Sequence, residues 1–218
     1  MRQRGHATKA IATPSVNASS SDIGLHADIA YTKSNLQKMV ATSRQIVVVN
    51  HSYGGIVGPG AVESLGYATR AQAGLPGGVI MVVWMAAFVA SKGKSLLDLL
   101  GGNWAPWMKS KVEEELFYTY MSPEEQQKAI AKLKPQPKKS FQEPALHDSW
   151  NEVPSMYIFC DLDGAISLPA QECFAKGLGN AITYRLKASY SSFLRMPEEV
   201  IEALETSLKE GRQQSGIL

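Results

Sequence analysis

Cysteine is almost absent from the chain: Cys160 and Cys173 are the two among 218 residues. Two cysteines cannot build a disulfide framework, and their spacing fits no zinc site. Unpaired thiols are what a reducing compartment leaves. Cys160 closes an apolar run and Cys173 sits in a helical pattern, so both are expected as packed side chains. Long apolar runs are missing as well. The longest, residues 78–90, is too short to cross a bilayer. The charged start Met1-Arg2-Gln3-Arg4-Gly5-His6 is not followed by the apolar stretch of a secretion signal. Together these features predict a soluble, cytoplasmic protein with no membrane partner. Nor does one sign of charge dominate: 22 Lys and Arg against 20 Asp and Glu leave +2, which gives no electrostatic reason to bind nucleic acid. The basic stretch 132–139 is short, broken by prolines, and reads as a solvated loop. No grouping of His, Cys, Asp and Glu has metal-ligand spacing, and no glycine-rich loop has phosphate-binding form, so neither metal nor other cofactor is expected.

What is present is an ordinary globular composition, 44% hydrophobic and 19% charged, in a chain long enough for one domain with a real core. Strand-like and helix-like pieces alternate, which predicts an α/β protein with a mostly parallel sheet and helices on its faces. Residues 8–13 read as a short strand stopped by Pro14, and Ser20 or Ser21 as the cap of a helix over 22–42. Residues 45–50 read as a strand buried on both faces, 53–72 as a helix opened by glycines, and 79–84 as the next strand. From 91 to 150 the pattern becomes short helical pieces (95–100, 112–118, 123–133) punctuated by Gly and Pro, with no strand signal. Such a stretch reads as a helical cap over the ends of the strands. The core is thus expected over 1–90 and 151–218. Strands at 156–160 and 182–186 alternate there with helices at 168–177 and 197–210.

The most telling stretch is Val47-Val48-Val49-Asn50-His51-Ser52-Tyr53-Gly54-Gly55. An apolar strand runs into a tight, glycine-flanked turn that holds up one serine, the arrangement of a nucleophile elbow. A serine hydroxyl attacks only when a neighbouring base takes its proton. The elbow frees Ser52 Oγ from the backbone, and the backbone N–H of Tyr53 is placed to stabilise an oxyanion. Asn50 departs from the pattern, which has a small residue two places before the serine.

Order and spacing of several segments resemble a small α/β-hydrolase family of fungi and bacteria, related to plant methyl esterases and hydroxynitrile lyases. They include Arg4-Gly5-His6, Thr13-Pro14-Ser15-Val16, the elbow, Ala86-Ala87-Phe88, Ser95-Leu96-Leu97, Tyr157-Ile158-Phe159-Cys160 and Met196-Pro197-Glu198-Glu199. The resemblance implies an α/β-hydrolase-type sheet with a helical cap. It places the family's acid at Asp163, in Cys160-Asp161-Leu162-Asp163-Gly164-Ala165-Ile166-Ser167; read without it, Asp161 and Asp163 make a polar turn. The base breaks the pattern. Where the family carries histidine, this chain reads Ser189-Tyr190-Ser191-Ser192-Phe193-Leu194, with Tyr190 at the histidine position. A phenol of pKa about 10 donates a hydrogen bond at neutral pH but is a poor general base. His51 beside Ser52 points elsewhere on an elbow. His147 is a candidate to hang over a pocket with Trp84 and Phe117, while His6 and His26 lie in the N-terminal segments.

The resemblance also implies a further strand and glycine-rich loop, ahead of the first residues here, that would lie between 8–13 and 45–50 and supply a second oxyanion N–H. Without it the two neighbours pair directly, a partner covers the gap in an oligomer, or the sequence is a shortened version of a longer protein. The expected ligand is a small apolar organic ester or related metabolite. Two classes stay open: a serine esterase with an incomplete triad, or a non-hydrolytic member, either a small-molecule binder or a lyase- or cyclase-type catalyst.

Overall fold

A computed structural model describes residues 1–104 and 116–217. Its sheet holds four parallel strands in the order in which the chain makes them: β1 (Gln45–Ser52), β2 (Gly78–Ala87), β3 (Ser155–Cys160) and β4 (Ile182–Leu186). Parallel neighbours require crossovers, and helices supply them. α1 (Leu25–Val40) precedes β1. α2 (Gly54–Ala61) and α3 (Tyr67–Gln72) join β1 to β2, and α7 (Leu168–Gly177) joins β3 to β4. Between β2 and β3 the described residues form three short helices, α4 (Leu96–Leu99), α5 (Pro123–Ile130) and α6 (Lys139–Gln142), and a 3₁₀ turn at Ser149–Asn151. After β4 come α8 (Ser192–Arg195) and α9 (Pro197–Gln214).

The central strands are apolar throughout because both of their faces are covered. All ten residues of β2 and all six of β3 are buried. Each large aliphatic or aromatic side chain fully buried this way contributes about 1.5–3 kcal/mol. α1 turns Leu25, Ile29, Leu36 and Val40 inward, the 3–4 spacing of one helical face. Its first turn is capped from far along the chain: the His26 N–H donates to Glu143 Oε2 at 2.9 Å, and Gly24 lies so close that a Cβ there would meet the same oxygen at 2.5 Å. Ser20 instead turns on itself, accepting from the Asp22 N–H. The serine cap expected from local sequence is thus replaced by a tertiary one. α9 begins with Pro197, Glu198 and Glu199, which suit the positive end of a helix. It lays Val200, Ala203, Ser207 and Gly211 on the sheet, with Gly211 tight against the Ile80 carbonyl.

Four expectations are corrected. The helix read over 53–72 is two helices, because the chain breaks at Ser64 (φ 64°) to let Leu65 accept from Val79 N–H and Gly66 bridge to Val79. Residues 8–13 form no strand: among the described residues their backbone pairs with no other strand, and extended backbone becomes a strand only when its N–H and C=O groups pair. β1 is not buried throughout: among the described residues it pairs with β2 alone, and Val49 is 43% exposed. Cys173 is exposed while Cys160 is buried, so only one of the two thiols packs. Most of the helix expected at 112–118 lies outside the described residues. Among the described residues no helix is long and apolar enough to cross a membrane.

Candidate active site

Ser52 ends β1 with φ +53°, the left-handed region that a non-glycine residue enters at a cost of about 1–2 kcal/mol. α2 starts two residues later, so the serine stands on a sharp strand-to-helix turn. The surrounding packing holds this strain. The Ser52 carbonyl accepts from Phe88 N–H at 3.2 Å. Gly55 is pressed against β2 so closely that a Cβ would sit 2.1 Å from the Phe88 carbonyl oxygen. Trp84 Nε1–H donates to the Gly55 carbonyl at 3.0 Å. On β2, Ala86 is also left-handed (φ 43°), and the Tyr157 hydroxyl braces Ala87, the residue opposite the serine, donating to its carbonyl at 2.8 Å and facing its N–H at 3.3 Å.

Asn50, the departure from the elbow pattern, is accommodated by a glycine on the facing helix. Its side chain lies over Gly58, where a Cβ would be 2.0 Å from Asn50 Oδ1. Crowding is thus relieved across the turn, not within it. Asn50 is buried, and among the described residues its Nδ2 has no hydrogen-bond partner.

Tyr53 has its side chain engaged away from the serine. Its hydroxyl donates to Asp28 Oδ2 at 2.7 Å, and the same carboxyl accepts from Ser15 N–H at 2.8 Å and Ser15 Oγ at 2.5 Å. Burial first, and then the Asp28 bond, hold the phenol far above its ordinary pKa, so it remains a donor. With the ring pinned away from Ser52, the Tyr53 N–H at the head of α2 has no acceptor among the described residues.

Tyr190 sits on the loop after β4, half-buried, its ring stacked on Phe117 at 4.9 Å and edge-on to His51 at 4.5 Å. Its hydroxyl lies close enough to the Ser52 side chain for the two to interact. Burial pushes the phenol well above its ordinary value; the Ser52 contact opposes this, and the charges of Asp163 and Tyr118 add to it. Tyr190 is therefore protonated throughout the neutral range. His51 is no substitute. Its Nε2 bonds the Tyr190 carbonyl at 3.0 Å, and burial pulls its pKa down to about 4. As a neutral ring, His51 donates that bond and fixes the loop carrying Tyr190.

Asp163 is 8% exposed on the turn after β3. Its Oδ1 accepts from Ala165 N–H at 2.7 Å and Ile166 N–H at 3.0 Å, while Oδ2 faces Gln171 Nε2 at 3.5 Å. Burial raises its pKa to about 6, against the pull of the two backbone donors. Gln171, in α7, also ties the Cys160 N–H and carbonyl and the Ile166 carbonyl to this turn. Nothing in the sequence pattern singled it out, because a helical glutamine carries no signal until the tertiary fold brings it to a strand end. The same holds for Asp28.

The structure therefore brings Ser52, Tyr190, Asp163, Phe117 and the Tyr53 backbone to one end of the sheet. Two expected pocket residues are elsewhere. Trp84 is fully buried in the sheet core beneath the elbow, spending its one N–H on Gly55, so it lines no opening. His147 faces Glu152, with Nε2 3.4 Å from Oε1. Among the described residues no group of three His, Cys, Asp or Glu is placed to hold a metal ion. Chemically, the cluster offers a held-out hydroxyl, a backbone N–H, a buried acid and a protonated phenol.

No family profile matches the chain. Among curated proteins, it is 25% identical over 217 residues to the alpha/beta hydrolase nvfD of Aspergillus novofumigatus, covering 92% of this chain and 85% of that protein. It is 26% identical over 193 residues to the probable hydrolase R7 of a Phoma species, covering 79% and 74%. Among solved structures, polyneuridine aldehyde esterase superposes with a TM-score of 0.72 at 18% identity, over 94% of this chain and 89% of that one.

Proposed function

We propose, from the premise that this chain has the α/β-hydrolase fold, that it acts on a small apolar ester or related carbonyl metabolite with a serine nucleophile whose base has been replaced. Ser52 is the attacking group and the Tyr53 N–H binds the developing oxyanion. Asp163 is the acid of the constellation, and Phe117 forms one wall against Tyr190. The observation that carries this reading is the retained left-handed serine at the head of a helix, with a protonated tyrosine at the base position. Elbow strain is what a fold keeps when the serine is used. A phenol cannot take the proton from Ser52 at neutral pH, so acyl transfer is expected to run at least ~10⁴-fold below that of a complete triad.

The experiment is Tyr190→His, read by hydrolysis of short acyl esters and by covalent labelling of Ser52 with a fluorophosphonate. A rise in turnover of two orders of magnitude or more, abolished by Ser52→Ala, supports acyl-transfer machinery lacking only its base. A folded variant with neither turnover nor labelling refutes it. A second reading is favoured by the buried, protonated phenol itself: a non-hydrolytic catalyst or binder in which Tyr190 donates a proton or hydrogen bond to a ligand oxygen. Under that reading Tyr190→Phe lowers affinity for small carbonyl ligands while Tyr190→His gives no esterase.

A further inference from the structure

The peptide that joins Ser52 to Tyr53 carries the N–H assigned above to the oxyanion, and its aim depends on few restraints. It follows a left-handed serine and precedes two glycines, the residues whose backbone is freest. α2 opens with no side-chain cap. Gly55 is clamped to β2, but a Cβ on Gly54 would find its nearest neighbour, Asn50 Cβ, only at 3.9 Å. One grip on the peptide is the Ser52 carbonyl, which accepts from Phe88 N–H at 3.2 Å. A single bond along that carbonyl lets the peptide turn about it. The second grip is the Tyr53 side chain. We propose that Asp28 is a positioning residue of this site: its carboxyl group holds the Tyr53 ring, and the ring fixes the Ser52–Tyr53 peptide with its N–H aimed for acyl transfer. The inference rests on the reading that Ser52 attacks and the Tyr53 N–H binds the oxyanion.

An anchor must itself be fixed, and Asp28 is. It is fully buried in α1. Its Oδ1 accepts from Ser15 N–H at 2.8 Å and its Oδ2 from Ser15 Oγ at 2.5 Å. Ser15 is held in turn by Gln136, whose Nε2 donates to its Oγ at 2.8 Å, while the nearby Asn17 N–H donates to the Pro135 carbonyl at 2.8 Å. α1 also lies on α2 so closely that a Cβ at Gly60 would be 2.7 Å from Ile29 Cδ1. Anchor and elbow therefore belong to one packed unit. The grip is directional as well. Asp28 Oδ2 takes the Tyr53 hydroxyl at 2.7 Å, and Ser140 of α6 lies close enough to that hydroxyl to interact with it. A tyrosine has two side-chain torsions, each with few allowed values. With its hydroxyl bonded and its ring 5.6 Å from that of Phe141, the position of its Cα is set.

The choice of residues points the same way. A buried acid met by three neutral donors is a costly means of filling space, and an apolar pair of the same shape packs as well. What an acid adds is a short bond of fixed direction, about twice as strong as one between neutral groups. Tyr53→Phe keeps the ring and its packing and deletes that bond. Asp28→Asn keeps the shape and weakens it. Either change frees the peptide to turn, and a misplacement of about 1 Å at a reacting centre costs on the order of 10²-fold in rate. The oxyanion forms after the substrate binds, so the loss falls on kcat and not on KM. Both substitutions act through one bond, so their effects do not multiply.

Asp28→Asn, Tyr53→Phe and the double variant are made in the Tyr190→His background, and kcat and KM are read on p-nitrophenyl acetate well below each Tm. Expected are a kcat lowered by about tenfold or more in each single variant, KM within about twofold, and a double variant no slower than the slower single. Tyr53→Phe removes one oxygen and keeps the packing, so it decides the matter if Asp28→Asn does not fold. An unchanged kcat in folded Tyr53→Phe overturns the proposal, as does a loss carried by KM or a double variant in which the losses multiply. A second measurement needs no turnover. Amide ¹⁵N relaxation in the otherwise unmodified chain should show larger motion at Ser52 and Tyr53 in Tyr53→Phe, with β2 unchanged. If Tyr190→His is inactive, the acyl-transfer reading has failed and relaxation alone decides. A loosened elbow then supports the grip of Asp28, and unchanged relaxation overturns it.

Discussion

Replacing Asp163 by Asn should stabilise the protein at neutral pH and leave it unchanged in acid. The carboxyl is 8% exposed, and burial raises its pKa from 3.8 to about 6 even though two backbone N–H groups point at Oδ1. The folded-state value lies above the unfolded one. Between about pH 4 and pH 6 the folded chain therefore keeps a proton that the unfolded chain has lost, and stability falls as pH rises through this window. A difference of about 2 units at 1.36 kcal/mol each gives about 3 kcal/mol, fully lost above pH 6. Asn has the same shape, keeps the acceptor for Ala165 and Ile166, and never ionises. Its amide would face Gln171 Nε2 at 3.5 Å, donor against donor, which offsets part of the gain. Urea unfolding at pH 4, 5, 6 and 7.5 should show the variant about 1–3 kcal/mol more stable at pH 7.5 and equal at pH 4. His51, whose pKa of about 4 lies below its unfolded value, loses stability as pH falls. It does so in both proteins and cancels in the difference. If instead the variant is less stable at pH 7.5, the backbone donors dominate over burial and the reasoning is wrong. A pH-independent difference would refute it equally.

Two further substitutions probe the elbow. Ser52→Gly removes the left-handed strain of about 1–2 kcal/mol but adds chain entropy to the unfolded state, so a net gain of up to about 1 kcal/mol in thermal unfolding is expected; a loss would mean that the serine conformation is not strained. Gly58→Ala drives a Cβ into the Asn50 side chain and should cost about 1–3 kcal/mol. Adding Asn50→Ala should recover at least 0.5 kcal/mol of that in a double-mutant cycle, and strict additivity would show that the two do not share space.

Local chemistry made much of this fold legible. The helix at Leu168–Gly177 and the strand at Ile182–Leu186 occupy the residues expected, because a proline in the first helical turn and a run with period two are signals that neighbours in sequence carry. Ser52, Asp163 and Tyr190 were legible as an order of motifs along the chain. Their environment was not. Trp84 looked like a pocket aromatic, and only its position in the sheet shows that both of its faces are covered and its N–H is spent on Gly55. His147 sits near the end of the long excursion between β2 and β3, yet the fold turns it to Glu152.

Periodicity and turn chemistry are properties of consecutive residues, so the chain specifies its strands, most of its helices and the serine turn before any of them pack. Burial, pKa and partnership are properties of what arrives from elsewhere. The cap of α1 comes from Glu143, the room for Asn50 from Gly58, and the neutrality of His51 from the mass packed around it.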